Sequence, residues 1–201
     1  MPGKYDEAQL KELMLQMVET ELGGEQVYRT AITCAVNNDL RKEWQEYLDE
    51  TLHHQEVIRG ACEAVGIDPD EESPGRLVVR HQGESLVKAM EMAKASSPKA
   101  AAQLVACECV VLAETKDHIN WELLGRVAER VTGDAGTALR VAHEEVEQDE
   151  DHHYYHTKGW CRELWIESLG MPAVLPPPEE EKDVQTAIGA ARAEQQRGDM
   201  L

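Results

Sequence analysis

The feature that most limits the fold is helical periodicity over most of the chain, with an acid set into each apolar stripe. From about Tyr5 to Asn38, apolar side chains recur three and four residues apart at Leu10, Met14, Met17, Tyr28, Ala31 and Ala35. A second stretch runs from about Leu40 to Val65, with Asp39 offered as its N-cap and Gly66 as its C-terminal cap. A third follows "SSP" at 96–98 and reaches about Val131, and a fourth runs from about Thr137 to Leu169, before "GMP". The strict alternation of a half-buried strand does not occur in the sequence. The expected fold class is therefore all-α.

Short loops join the first stretch to the second and the third to the fourth, so each pair should form an antiparallel hairpin. The link between the hairpins, roughly 30 residues, is long enough to cross the bundle lengthwise and is predicted to carry a short helix at about Glu84 to Ala95. The expectation is an antiparallel four-helix bundle over residues 1–171 with one long crossover, followed by a Pro/Glu linker and C-terminal tail over 172–201. "AVLPPPEEE" reads as an extended spacer that does not join the bundle. Beyond it, Val184, Ala187, Ile188 and Ala191 fall on one side of a short helix. That strip either docks on a neighbouring subunit or a shell protein, or belongs to a disordered solubilising tail.

Charge narrows the partners. Twenty Lys and Arg stand against 39 Asp and Glu, a formal net charge of −19. Such a surface repels nucleic acid and anionic membranes and attracts cations. There is no 18-residue uncharged apolar run, and the first residues lack the basic-then-apolar order of a signal peptide, so a cytoplasmic protein is expected. The five cysteines are odd in number and none forms a C-x-x-C pair. They read as small apolar residues in a reducing compartment, not as a disulfide framework or a thiolate metal knuckle. With Phe absent, the core must come from Leu, Val, Ala, Ile and Met with four Trp and five Tyr.

Projection at about 100° per residue shows which polar groups fall inside the stripes. Glu21 continues the series Leu10, Met14, Met17. In the second stretch Glu50 lies inside the face and His53 at its margin, with His54 nearer the centre. In the third, Asp117 is central and Glu114 just beside it; in the fourth, Glu150 and His153 both fall within the stripe. An ionised carboxylate is not buried without compensation. Acids from four helices converging on one axis would repel one another unless cations lay between them, and two divalent ions would match four carboxylates. The i,i+3 spacing lets "ETLH" (50–53) and "EDHH" (150–153) each offer an oxygen and an imidazole nitrogen to one ion. The shifted pair Asp149 and His152 is disfavoured by the stripe.

These motifs, taken in order, resemble the ferritin-like di-iron carboxylate superfamily, which includes bacterioferritins and rubrerythrins. Its pattern is a Glu on one helix and Glu-x-x-His on the next, repeated in the second hairpin. "ELGGEQVY" supplies Glu21 with Tyr28 seven residues on, and "ETLHHQEVIRGACEAVGIDP" supplies Glu50, His53 and the closing Gly-Ile-x-Pro. "ETKDHINW" repeats the acid-then-aromatic spacing through Glu114 and Trp121, and "EDHHYYHTKGW" supplies Glu150 and His153. The resemblance covers about residues 5–170. It implies a metal set of Glu21, Glu50, His53, Glu114, Glu150 and His153, holding two iron ions, with manganese the alternative. His54 stays open as a substitute for His53, and Asp117 for Glu114. Tyr28 is expected to pack in the core or to relay an electron. The implied protein is a homo-oligomeric oxidoreductase reacting Fe2+ with O2 or peroxide, most simply a ferroxidase. A rubrerythrin-type peroxidase with a separate electron donor and a dimanganese catalase are variants. A non-catalytic helical scaffold or stress protein is the reading from another class.

Overall fold

A computed structural model describes residues 5–178, and all its regular structure is helical. Five helices follow in order: α1 (Glu7–Cys34), α2 (Asn38–Ala64), α3 (Pro74–Ser96), α4 (Lys99–Ala128) and α5 (Gly133–Ser168). Asp6 caps α1 by accepting from the Ala8 and Gln9 amides. The cap of α2 is Asn37, two residues before the expected Asp39, and its side chain accepts from Asp39 and Leu40. The intervening turn is tied across the bundle, because the Val36 and Asn37 amides both donate to Gln103 Oε1 of α4 at 2.6 and 2.7 Å. Gly66 ends α2 as expected: at φ +75° it turns the chain so that the Ile67 amide reaches the Cys62 carbonyl.

The link between the hairpins departs from expectation. In place of a short helix at 84–95, α3 occupies 74–96 and runs the length of the bundle. "SPG" looks like a terminator, yet Ser73 caps the helix and Pro74 takes its first position, where a missing N–H costs nothing. Val79, Met90 and Ala93 recur on its buried face. Gly83 lets the backbone approach Gly23 of α1 closely: a Cβ there would lie 3.4 Å from the Gly23 Cα. Glu19 of α1 is buried between Arg76 and Arg80 of α3, 2.7 Å from each. Burial pushes its carboxyl up, but the two guanidinium groups outweigh that and hold it below the usual carboxylate range.

Cross-helix contacts fix the directions. Tyr28 meets Glu114 and Thr20 meets Asn120, so α1 and α4 are antiparallel. Glu43 meets Trp160 and His53 meets Glu145, so α2 and α5 are antiparallel as well. Glu12 meets Ser73 and Glu19 meets Arg80, so α3 runs parallel to α1. The helices α1, α2, α5 and α4 therefore form a ring in that order, and α3 lies against α1 and α4 on the outside. The long crossover does span the bundle lengthwise, as a helix.

Two apolar clusters fill the ring. One gathers Tyr28, Trp44, Tyr47, Val110 and Trp160; the other gathers Met14, Met17, Ile58, Trp121 and Leu139. Buried Trp and Tyr supply the bulk that Phe would otherwise give. Between the clusters lies a layer of acids and histidines, since on each ring helix the polar position falls between a residue of one cluster and a residue of the other.

Some expectations for the chain end need correction. The spacer does join the bundle at first: the Val174 amide donates to Glu163, Leu175 packs on the first cluster and Pro177 is buried. The proposed strip Val184, Ala187, Ile188 and Ala191 lies outside the described residues. All five cysteines are free thiols. Among the described residues, no helix is long and apolar enough to cross a membrane.

Candidate metal centre

Five of the groups in the polar layer are carried by α1, α4 and α5. Glu21 and Glu150 are 0% and 2% exposed, and Glu114, Asp117 and His153 are equally shielded. On α2 the periodicity Tyr47, Thr51, His54, Ile58 turns His54 fully inward. His53, one residue and roughly 100° away, points out. Its side chain is half exposed and pairs with Glu145 at 2.9 Å, so the expected ligand His53 does not reach the layer and His54 takes its place. Glu50 sits at the rim, 39% exposed, with Oε2 2.7 Å from His153 Nε2. Thus the second helix contributes Glu50 and His54, an i,i+4 pair instead of the expected i,i+3 pair.

Two groups of donors are close enough to share an ion. One ligand atom each from His54, Glu150 and His153 lie within 4.8 Å of one another, and so do atoms from Glu21, Asp117 and Glu150. Glu150 belongs to both. Its Oε1 is 3.1 Å from His54 Nδ1 and 4.0 Å from His153 Nδ1. The choice between Glu114 and Asp117 dissolves, because α4 brings both carboxylates into the layer. Asp117 enters one of the groups, and Glu114 Oε2 stands 3.7 Å from His153 Nδ1.

Aromatic side chains hold the acids from either side. Tyr28 donates its hydroxyl to Glu114 Oε1 at 2.7 Å, and Trp121 donates its indole N–H to Glu21 Oε1 at 2.8 Å. Tyr47 lies against the His153 ring, centroids 4.2 Å apart. Its hydroxyl donates to Glu43, which also accepts from the Trp160 indole. Sequence reasoning missed Glu43; its only signal was an acid beside the apolar Trp44 and Tyr47. His118 pairs with Asp151, His143 with Glu147 and His156 with Glu43, which leaves these histidines outside the layer. A groove of about 540 Å³ between α1, α3 and α4 is lined by none of the layer's acids or histidines.

After these bonds, four carboxylate oxygens of the layer remain buried with no hydrogen-bond donor among the described residues: Glu21 Oε2, Glu114 Oε2, Asp117 Oδ1 and Glu150 Oε2. Burial, then the neighbouring acids, pushes Glu21 and Glu150 well above the carboxylate range. The same causes bring Glu114 to about 8, and burial brings Asp117 to about 7. Burial alone would lower His54, but Asp149 and the surrounding carboxylates outweigh it and raise its pKa. His153 is lowered by burial, against the pull of Glu50. Without a cation the layer must hold protons at neutral pH. A divalent ion can displace them.

Set against protein-family models, curated proteins and solved structures, the chain matches none of them.

Proposed function

We propose that this chain is a ferritin-like di-iron carboxylate oxidoreductase that oxidises Fe2+ with O2 or peroxide. The observation that carries this is the set of four buried, donorless carboxylate oxygens from three helices, facing two imidazoles. In a scaffold of solvated acids these groups would face water; here each unsatisfied oxygen costs about 1–3 kcal/mol unless an ion takes it up. The donor set fits iron: hard carboxylates with imidazole suit Fe and Mn, and no thiolate stands among them to favour a softer ion. The arrangement of two antiparallel hairpins joined by a lengthwise crossover also supports the ferritin-like reading.

In this reading Glu21, Asp117 and Glu150 hold one ion, and His54, Glu150 and His153 the other, with Glu114 completing the oxygen donors. Bound iron would supply the one-electron redox chemistry that the side chains lack. The chain's own part is to bind and neutralise. Four carboxylates match the charge of two divalent ions and favour a further rise in charge as the ions are oxidised. Protons released on binding have an outlet, because His153 Nε2 contacts Glu50 at the solvent rim. Tyr28 anchors Glu114, and its phenol is placed to pass an electron; burial holds its proton on well above the usual pH range.

The test is aerobic Fe2+ oxidation followed optically, in the parent and in Glu150→Ala and Glu21→Ala. Oxidation above the protein-free rate, lost to at least about tenfold in both variants, is the expected result. A parent rate equal to buffer would refute the assignment, and peroxide consumption without Fe2+ turnover would point to the peroxidase variant.

A further inference from the structure

Read from the sequence, the five cysteines are plain packing residues, and for three of them the structure agrees. Cys34, Cys62 and Cys109 are buried, and burial pushes Cys62 up to about 12 and Cys109 to about 11. Cys107 and Cys161 differ. Helices α4 and α5 are antiparallel, with Gly125 against His143, His118 beside Asp151, and Glu114 near His153. Continued past Glu114, that register sets Cys107 opposite Cys161. The two thiols are hydrogen-bonded to each other. Cys107 is fully buried in the first apolar cluster, whereas Cys161 at its edge is partly exposed.

The bond joins two thiols of unequal access. Its donation, then burial, holds Cys107 well above the ordinary thiol range. The same bond draws Cys161 below that range, although burial and Glu108 oppose it. The sulfur that solvent can reach thus has a second thiol behind it.

We propose that Cys161 and Cys107 form a peroxide-reactive dithiol, with Cys161 attacking and Cys107 resolving. The Cys161 thiolate attacks one oxygen of hydrogen peroxide; the S–O bond forms, the O–O bond breaks, and the departing hydroxide takes a proton to become water. Cys107 then loses its proton and displaces the hydroxyl of the Cys161 sulfenic acid. The S–S bond forms and a second water leaves. Two thiols give up two electrons, and one peroxide becomes two waters. A soluble dithiol returns the pair to its reduced state by exchange. No electron passes through the metal centre, so this chemistry stands or falls independently of the proposed function.

The experiment treats the full chain with about a tenfold excess of hydrogen peroxide in the presence of a chelator, then alkylates and maps the peptides. The expected first product is a Cys107–Cys161 disulfide, with the other three cysteines alkylated. Cys107→Ser should instead leave a sulfenic acid at Cys161 that dimedone traps, and Cys161→Ser should slow thiol loss by about tenfold or more. Absence of the disulfide, prior formation of a Cys34–Cys109 link, or unchanged thiol loss in Cys161→Ser would each overturn the proposal. The mapping on the parent chain needs no variant to fold.

Discussion

The hydroxyl of Tyr28 on α1 donates to Oε1 of Glu114 on α4 across 2.7 Å. Seven residues past Glu114, the Trp121 indole donates back to Glu21, which itself lies seven residues before Tyr28. The two hairpins thus exchange one bond each, acid to aromatic. Each bond fixes one oxygen of a buried carboxylate and leaves the other turned toward the layer.

Tyr28→Phe removes that donor and leaves Glu114 Oε1 without its bond. The metal-free protein should lose about 1–2 kcal/mol in urea unfolding, while the metal content stays that of the parent. An unchanged unfolding midpoint would show that the bond contributes nothing to the folded state.

His53 and His54 should separate in a metal-binding measurement. His54→Ala should lower bound metal per chain, because His54 is fully buried beside Glu150. His53→Ala should leave it unchanged, because His53 faces Glu145 at the surface. Metal analysis after Fe2+ or Mn2+ loading decides the matter, and the opposite pattern would restore the Glu50-x-x-His53 pair.

Much of this layer was legible in the sequence. Glu21 and Asp117 sit at the centres of clear apolar stripes and Glu150 falls within one, and burial of those positions follows from the period alone. The α2 histidine was harder, because a motif spacing of three competed with a periodicity that already favoured His54, and one residue shifts the side chain by about 100°. Helix α3 was under-read because Pro74, Gly75 and Gly83 are breakers by propensity. Tertiary partners override them: Glu19 holds Arg76, and Gly83 lies against Gly23. The alternative between Glu114 and Asp117 was undecidable from a stripe, since a face about 100° wide admits both.

Arg76→Ala tests the anchoring of α3. It strips one guanidinium from buried Glu19, leaving only the more exposed Arg80. A loss of about 3 kcal/mol is expected in urea unfolding. A loss below about 0.5 kcal/mol would place the pair among surface ion pairs of little consequence.

Stability should depend on pH differently with and without metal. Glu114 near 8 and Asp117 near 7 bind protons in the folded chain that the unfolded chain has already released. Metal-free stability should therefore fall as pH rises from about 5 to 8. Metal needs deprotonated ligands, so the gap in Tm between loaded and metal-free protein should widen over the same range. The check is a set of melting curves across that range; a gap that is constant or narrows would contradict the burial of these acids.

The central claim is that the layer around Glu150 holds a pair of divalent ions. The most direct measurement is an anaerobic Fe2+ titration of the metal-free full chain by calorimetry, with bound iron counted after gel filtration. Two ions per chain should bind with proton release, and Glu150→Ala should lose both, because Glu150 alone belongs to both donor groups. A parent chain that binds no iron, or a Glu150→Ala chain that still binds two, would contradict it.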